Sequence, residues 1–267
     1  MRIWRILLVL AGLSWSMMAR ADEPVRVFAA GSLRAVLTEL GAAYKAKTGT
    51  DVAFTFGASG LLRDRLASGE AADVFASANV EHPEALTRAG KTGAVRVFTR
   101  NELCALVSPK ITVLPETLLK VMQDPAVKLG ISTPKADPSG DYAMLVFDKA
   151  EALAGKAVAD ALRAKALQLT GGPNSPPPPA NRSVYGELVA GGQADIFLTY
   201  CTNAVIAVKE HAALRSLTLQ ADIAVGADYG LTVMKGAGAM GEGFADFVLS
   251  TEAQRVFSRF GFRAKSK

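Results

Sequence analysis

VRVFAAGSLRAVL, residues 25–37, begins as an alternating apolar strand, halts at Ala29-Ala30-Gly31-Ser32 and passes at once into a helical pattern. Beyond Ser32 the apolar residues Leu33, Val36, Leu37, Leu40 and Tyr44 recur at helical spacing, and Arg34, Glu39 and Lys45 fall on the opposite face. The stretch predicts a strand-to-helix junction with Ser32 as the helix N-cap. A helix N-terminus carries unpaired backbone N–H groups and about half a unit of positive charge, so it holds an anion without a charged side chain. The small residues before Ser32 let an anion come close. Ser32 therefore has two readings: a cap serving only its own helix, or a donor to a bound anion.

The same arrangement recurs along the chain. DVAFTF (51–56) alternates like a strand, and Gly57-Ala58-Ser59-Gly60 opens the helix LLRDRLASG. ADVFASA (72–78) reads as a buried strand ending in small residues at Ala78, followed by Asn79 and a helix over 83–89. In open α/β sheets, ligands lie beyond the carboxyl ends of the strands, where these three small-residue ends fall.

A further strand, 103–107, marks the passage into a second α/β unit. There KLGIST (128–133) is a strand and Pro138-Ser139-Gly140 opens a helix over 141–153. A polar helix over 158–169, a helix over 181–189 and the apolar strand ADIFLTY (194–200) complete the unit. Ser139 stands there as Ser32 stands in the first unit. Tyr200, at a strand end, either aims its hydroxyl into a cleft or only packs. Strands are expected at 217–220 and 230–234, and two helices joined at Ser250-Thr251 close the sequence. A chain that leaves one lobe, builds another and returns predicts lobe I from 22–102 with 221–267 and lobe II from 103–220, with a cleft between them.

Residues 1–21 have Arg2 and Arg5, an apolar run over 6–15 and the small-x-small site Ala19-Arg20-Ala21, the pattern of a secretory signal peptide cleaved after Ala21. No later run approaches the roughly 20 apolar residues of a membrane-spanning helix. The net charge of +5 is mostly the leader's, since without it 27 Lys and Arg face 25 Asp and Glu. No basic block with interleaved aromatics remains to suggest nucleic acid. Cys104 and Cys201 can form a disulfide in an oxidising compartment or stand as two buried thiols. GGPNSPPPPAN (171–181) is the one low-complexity segment, either a stiff polyproline loop or a protein-docking surface.

FAAGSL, FGASGLL, ADVFASA, the PSGDYA turn, the IFLTY strand and the tail FADFVLSTEAQRVFSRFGF, in this order, resemble the periplasmic molybdate-binding proteins that feed ABC transporters. The resemblance runs from Val25 to Phe262. It implies a type II periplasmic binding fold, α/β with two lobes, each a mixed sheet flanked by helices, that holds a tetrahedral oxyanion in the interlobe cleft with neutral hydrogen-bond donors. Carried over by motif, Ser32 and Ser59 give hydroxyl and backbone N–H groups and Ala78 its backbone N–H. From the second lobe come the backbone N–H groups of Ser139 and of a residue near Arg182, and the Tyr200 hydroxyl. The ligand implied is molybdate or tungstate and the partner an ABC permease, for a monomeric periplasmic protein without a cofactor. The family commonly has alanine in place of Ser139 and a valine-like residue in place of Arg182. Asp141 is a further departure, because a carboxylate facing the cleft repels a dianion; it is expected to point away or to cap its helix.

Other readings remain. Sulfate, phosphate or an organic acid fits the same fold, and Arg182 is the candidate to hold an organic carboxylate. A secreted serine hydrolase is suggested by Gly57-Ala58-Ser59-Gly60, but Leu61 occupies a glycine position of G-x-S-x-G, and His82 and His211 are expected to be exposed. A sensory domain of the same fold would carry a DNA-binding segment before it. No metal-ligand spacing or Walker loop is present in the sequence.

Overall fold

The computed structural model describes residues 23–179 and 182–264, so the expected signal peptide and its cleavage site lie outside the described residues. The first half of the chain alternates β1 (Val25–Ala30), α1 (Arg34–Thr48), β2 (Val52–Gly57), α2 (Ser59–Ala67), β3 (Val74–Ser77), α3 (Glu81–Arg88) and the long β4 (Arg96–Val107). There follow α4 (Leu118–Gln123), β5 (Leu129–Ser132), α5 (Pro138–Ala154), α6 (Lys156–Lys165), β6 (Leu167–Thr170), α7 (Val184–Ala190), β7 (Ile196–Tyr200) and α8 (Cys201–Glu210). The last elements are β8 (Arg215–Thr218), β9 (Gly226–Val233), α9 (Gly238–Leu249) and α10 (Thr251–Arg259).

The strands run in the order β2-β1-β3-β9-β4-β7-β5-β6, with β8 also beside β4. β1 is parallel to β2 and β3, and β9 closes that group antiparallel to β3 and to residues 96–102 of β4. From Leu103 onward β4 changes partners, pairing antiparallel with β7 and, from Cys104, with β8. One strand thus belongs to two sheet regions, and the change falls at residues 102–103. β5 lies parallel to β6 and β7 in the second region.

Strands covered on both faces read as nearly continuous apolar runs. That accounts for β3 and β7, every residue of which is buried. The edge strands β2 and β6 keep solvent contact, and Leu167-Gln168-Leu169-Thr170 lacks the strong apolar signature. This is why a helix was expected over 158–169; α6 ends at Lys165 and a strand follows. Tyr44 on α1 packs against Phe244 and Phe247 of α9 at 5.3 Å each, which brings the C-terminal helices back onto the first lobe.

One local expectation is corrected. Ser32 caps no helix: it lies inside a 3-10 turn, Gly31–Leu33, and α1 begins at Arg34 without a side-chain cap. α8, which the sequence pattern does not announce, starts at Cys201 directly after β7. The cysteines are joined, Cys104 in β4 to Cys201 at the start of α8, with Cα atoms 4.8 Å apart. The bridge closes 97 residues of sequence and fixes the end of β7 against β4.

Candidate functional site

The small residues at the ends of β1, β2 and β3 bring three turns to the same edge of the first sheet. Ser59, first residue of α2, is fully buried, and its Oγ accepts the Ala78 N–H at 3.1 Å. The Ala78 carbonyl accepts the Tyr200 hydroxyl at 3.0 Å. Both backbone groups of Ala78 are therefore engaged within the protein, one by each lobe. Because Ser59 uses an oxygen lone pair for Ala78, its own O–H is left to donate elsewhere.

Ser32 follows the same logic through a longer chain of partners. Its Oγ lies 3.0 Å from the hydroxyl oxygen of Tyr229, a fully buried residue of β9. Asn101 Nδ2 donates to that hydroxyl at 3.2 Å and to Thr202 Oγ1 at 2.8 Å, while Asn101 Oδ1 accepts the Glu102 N–H. A buried tyrosine O–H needs an acceptor. Asn101 donates to the Tyr229 oxygen, and Ser32 Oγ is the acceptor in reach of the Tyr229 hydrogen; with Tyr229 donating to it, the Ser32 hydrogen turns outward. Burial raises the Tyr229 and Tyr200 phenols above their usual range, so both stay protonated donors. Their rings stand 5.4 Å apart across the two lobes.

From the second lobe, Ser139 is the second residue of α5, behind Pro138 at the first helical position and Asp137 at the N-cap. The Ser139 N–H donates to Asp137 Oδ1 at 3.0 Å, and Ser139 Oγ is buried without a hydrogen-bond partner. The loop before α5 meets α2 directly: Gly60 N–H donates to the Ala136 carbonyl at 2.8 Å. A Cβ on Gly60 would fall 2.3 Å from the Lys135 carbonyl oxygen and 2.7 Å from that of Ala136, so only glycine permits this approach. Lys135 has φ 68°, a left-handed conformation that costs a non-glycine residue energy. Asp141 holds it there, taking the Lys135 N–H on Oδ1 at 2.7 Å.

Ser32, Ser59, Ala78 and Tyr200 thus join one set of hydrogen bonds and ring contacts, and Ser139 adjoins it through the Gly60–Ala136 contact. Arg182 is different. Its exposed guanidinium pairs with Glu187 at 2.7 Å and lies 3.4 Å from His211 Nε2. That pairing is local to α7 and α8. The exposure expected of His82 is corrected: it is buried at the start of α3, 3.1 Å from Arg63 Nη1, and burial together with Arg63 pushes its pKa down to about 4. Among the described residues no group of three His, Cys, Asp or Glu could hold a metal ion, and no helix is long and apolar enough to cross a membrane.

Sequence reasoning missed Tyr229, Asn101 and Asp137. The Asp137-Pro138 pair carried a usable signal, an N-cap acid before a proline at the first helical position. Tyr229 and Asn101 carried none, since their site partners lie 197 and 101 residues away.

A two-lobed α/β fold whose lobes meet over helix starts and hydroxyl groups has the form of a periplasmic-type binding protein. The chain belongs to the bacterial extracellular solute-binding proteins, whose family profile matches residues 25–263. It is similar to the molybdate-binding protein ModA of Escherichia coli (strain K12), 26% identical over 276 residues that cover 99% of each chain. Among solved structures, the periplasmic molybdate-binding protein of Azotobacter vinelandii is similar with a TM-score of 0.71 at 19% identity, covering 91% of this chain and 100% of that one. The sulfate-binding protein SubI of Mycobacterium tuberculosis is similar with a TM-score of 0.75 at 16% identity, covering 90% and 86%.

Proposed function

We propose that this solute-binding protein captures molybdate or tungstate between its lobes and delivers it to the permease of an ABC importer. A buried dianion loses a large hydration free energy, so each of its oxygens must recover hydrogen bonds from fixed donors. The observation that carries the reading is the state of Ser32 and Ser59. Each hydroxyl oxygen is placed to accept a hydrogen bond from a protein group, which leaves each hydroxyl hydrogen for a ligand. Ser139, buried at a helix start with an unpartnered hydroxyl, adds a donor from the other lobe.

In this reading the Ala78 N–H and the Tyr200 O–H serve by exchange, leaving Ser59 and the Ala78 carbonyl for the anion as the lobes settle around it. Arg182 acts through its backbone, and its guanidinium pairs with Glu187, which speaks against it as the organic-acid reading's cation. Neutral donors surround the anion without a fixed ion pair, and separation of the lobes releases it. The protein works as a monomer in the periplasm, exported through residues 1–21, and needs no cofactor.

Sulfate is the second reading, favoured by the fold's likeness to a sulfate-binding protein. It offers the same charge and four acceptor oxygens in a smaller sphere. Calorimetry of the purified protein with molybdate, tungstate, sulfate and phosphate separates them. Molybdate and tungstate are expected to bind most tightly; tight sulfate binding with silence from molybdate would transfer the assignment, and tight phosphate binding alone would remove it.

A further inference from the structure

The N–H of Ser139 has two claimants. An anion at the start of α5 needs it, and the Asp137 carboxylate already accepts it at 3.0 Å. A carboxylate oxygen and an oxyanion oxygen are both acceptors, so they cannot share one N–H favourably, and their charges repel. Ser139 itself is fully enclosed, with its hydroxyl unpartnered.

Asp137 has little room to swing away. Its backbone N–H is tied to the Thr133 carbonyl at 2.9 Å, and a Cβ on Gly171 would lie 2.6 Å from both its Cβ and its Oδ2. The residue as a whole keeps some solvent contact, but the carboxyl packs inward against that wall. The groups that act on it are Asp141 from its own helix, the Ser132 hydroxyl at the end of β5, and the neutral phenols Tyr185 of α7 and Tyr200 of β7. Among the described residues no cation is among the groups that shift the carboxyl. Desolvation pushes its pKa up to about 6, against the opposing pull of the Ser139 N–H.

Resting on the oxyanion reading above, we propose that Asp137 is a proton-linked residue of the anion site, which takes up one proton as an oxyanion claims the Ser139 N–H. Loss of that hydrogen bond and arrival of negative charge both favour the protonated carboxyl. Protonation turns Asp137 from an acceptor into a donor, so the group that would repel a dianion joins those that hold it. The sign follows from linkage. Below pH 6 the carboxyl is already protonated and affinity is flat. Above pH 6 the proton must be drawn from solvent, and affinity falls about tenfold per pH unit until the pKa of the complex is passed.

The test is calorimetry with sodium molybdate from pH 5.5 to 8.5, in two buffers of different ionisation enthalpy. Uptake of close to one proton is expected at pH 7.5, with affinity weakening about tenfold per unit above pH 6. Asp137→Asn and Asp137→Ser, both neutral caps, should each bind with a flat pH profile, and Asp141→Asn should keep the slope. Zero proton uptake by the unmodified protein, or a slope that survives in either Asp137 variant, would overturn the assignment, and the proton count needs no variant to fold. Failure of molybdate, tungstate and sulfate to bind at any pH would instead remove the oxyanion reading, and this inference with it.

Discussion

Ser59→Ala takes away one atom with two duties. The Oγ is fully buried and accepts the Ala78 N–H at 3.1 Å, so its loss orphans a buried donor at a cost of about 1–3 kcal/mol in stability. Its hydrogen is the one assigned to the anion, and a hydrogen bond to a charged group contributes about 1.5–3 kcal/mol. At 1.4 kcal/mol per tenfold, that is a loss of about 10- to 150-fold in affinity. In the bound state the Ala78 N–H has left Ser59 for the anion in either protein, and in the variant it gives up no protein partner to do so, which places the expected loss near the lower end. Isothermal titration with molybdate measures the affinity, and urea denaturation of the same preparation measures the stability. Lowered stability with unchanged affinity would refute the reasoning, because Ser59 would then serve only to hold Ala78.

Tyr229→Phe removes the donor that orients Ser32 and should weaken molybdate binding several-fold; in a double-mutant cycle with Ser32→Ala the two losses should be far from additive. Gly60→Ala pushes a Cβ against the Lys135 and Ala136 carbonyls, so it should cost tenfold or more in affinity by calorimetry while the far-UV spectrum stays unchanged. Reduction of Cys104–Cys201, or Cys104→Ser with Cys201→Ser, opens a closed stretch of 97 residues and should cost about 2–5 kcal/mol in denaturant melts. The same change should weaken anion binding, since Tyr200 precedes Cys201 at the anchored end of β7.

The first lobe was the more legible because its signals are local. FAAGSL, FGASGLL and ADVFASA each put strand, small residues and helix within a dozen positions, and β1, β2, β3 and α2 lie within a residue or two of the expected bounds. The second lobe resisted where strands are short and exposed, as in β6, or where a helix follows a strand without a break, as at Tyr200-Cys201. The N-terminal part of β4 was missed because Arg96, Thr99, Arg100, Asn101 and Glu102 dilute its apolar pattern.

At the site, serines at helix starts could be named from the sequence, but their hydrogen-bond polarity could not. That polarity is set by Tyr229, Asn101 and Ala78, brought in from distant strands, and by tertiary burial. Asp141 shows the same limit: its departure from the family was visible, whereas its service to the Lys135 N–H depends on a left-handed backbone that no sequence pattern announced. The carboxylate that accepts the Ser139 N–H is Asp137, two residues earlier.

A crystal structure of the protein with tungstate, read by anomalous scattering from tungsten, tests most directly whether hydroxyl and N–H groups of both lobes enclose the anion. The account predicts a single strong peak whose oxygens lie within hydrogen-bond reach of Ser32, Ser59 and Ser139, with no Lys or Arg side chain in contact. A peak seated on the Arg182 guanidinium, or its absence at saturating tungstate, would contradict it.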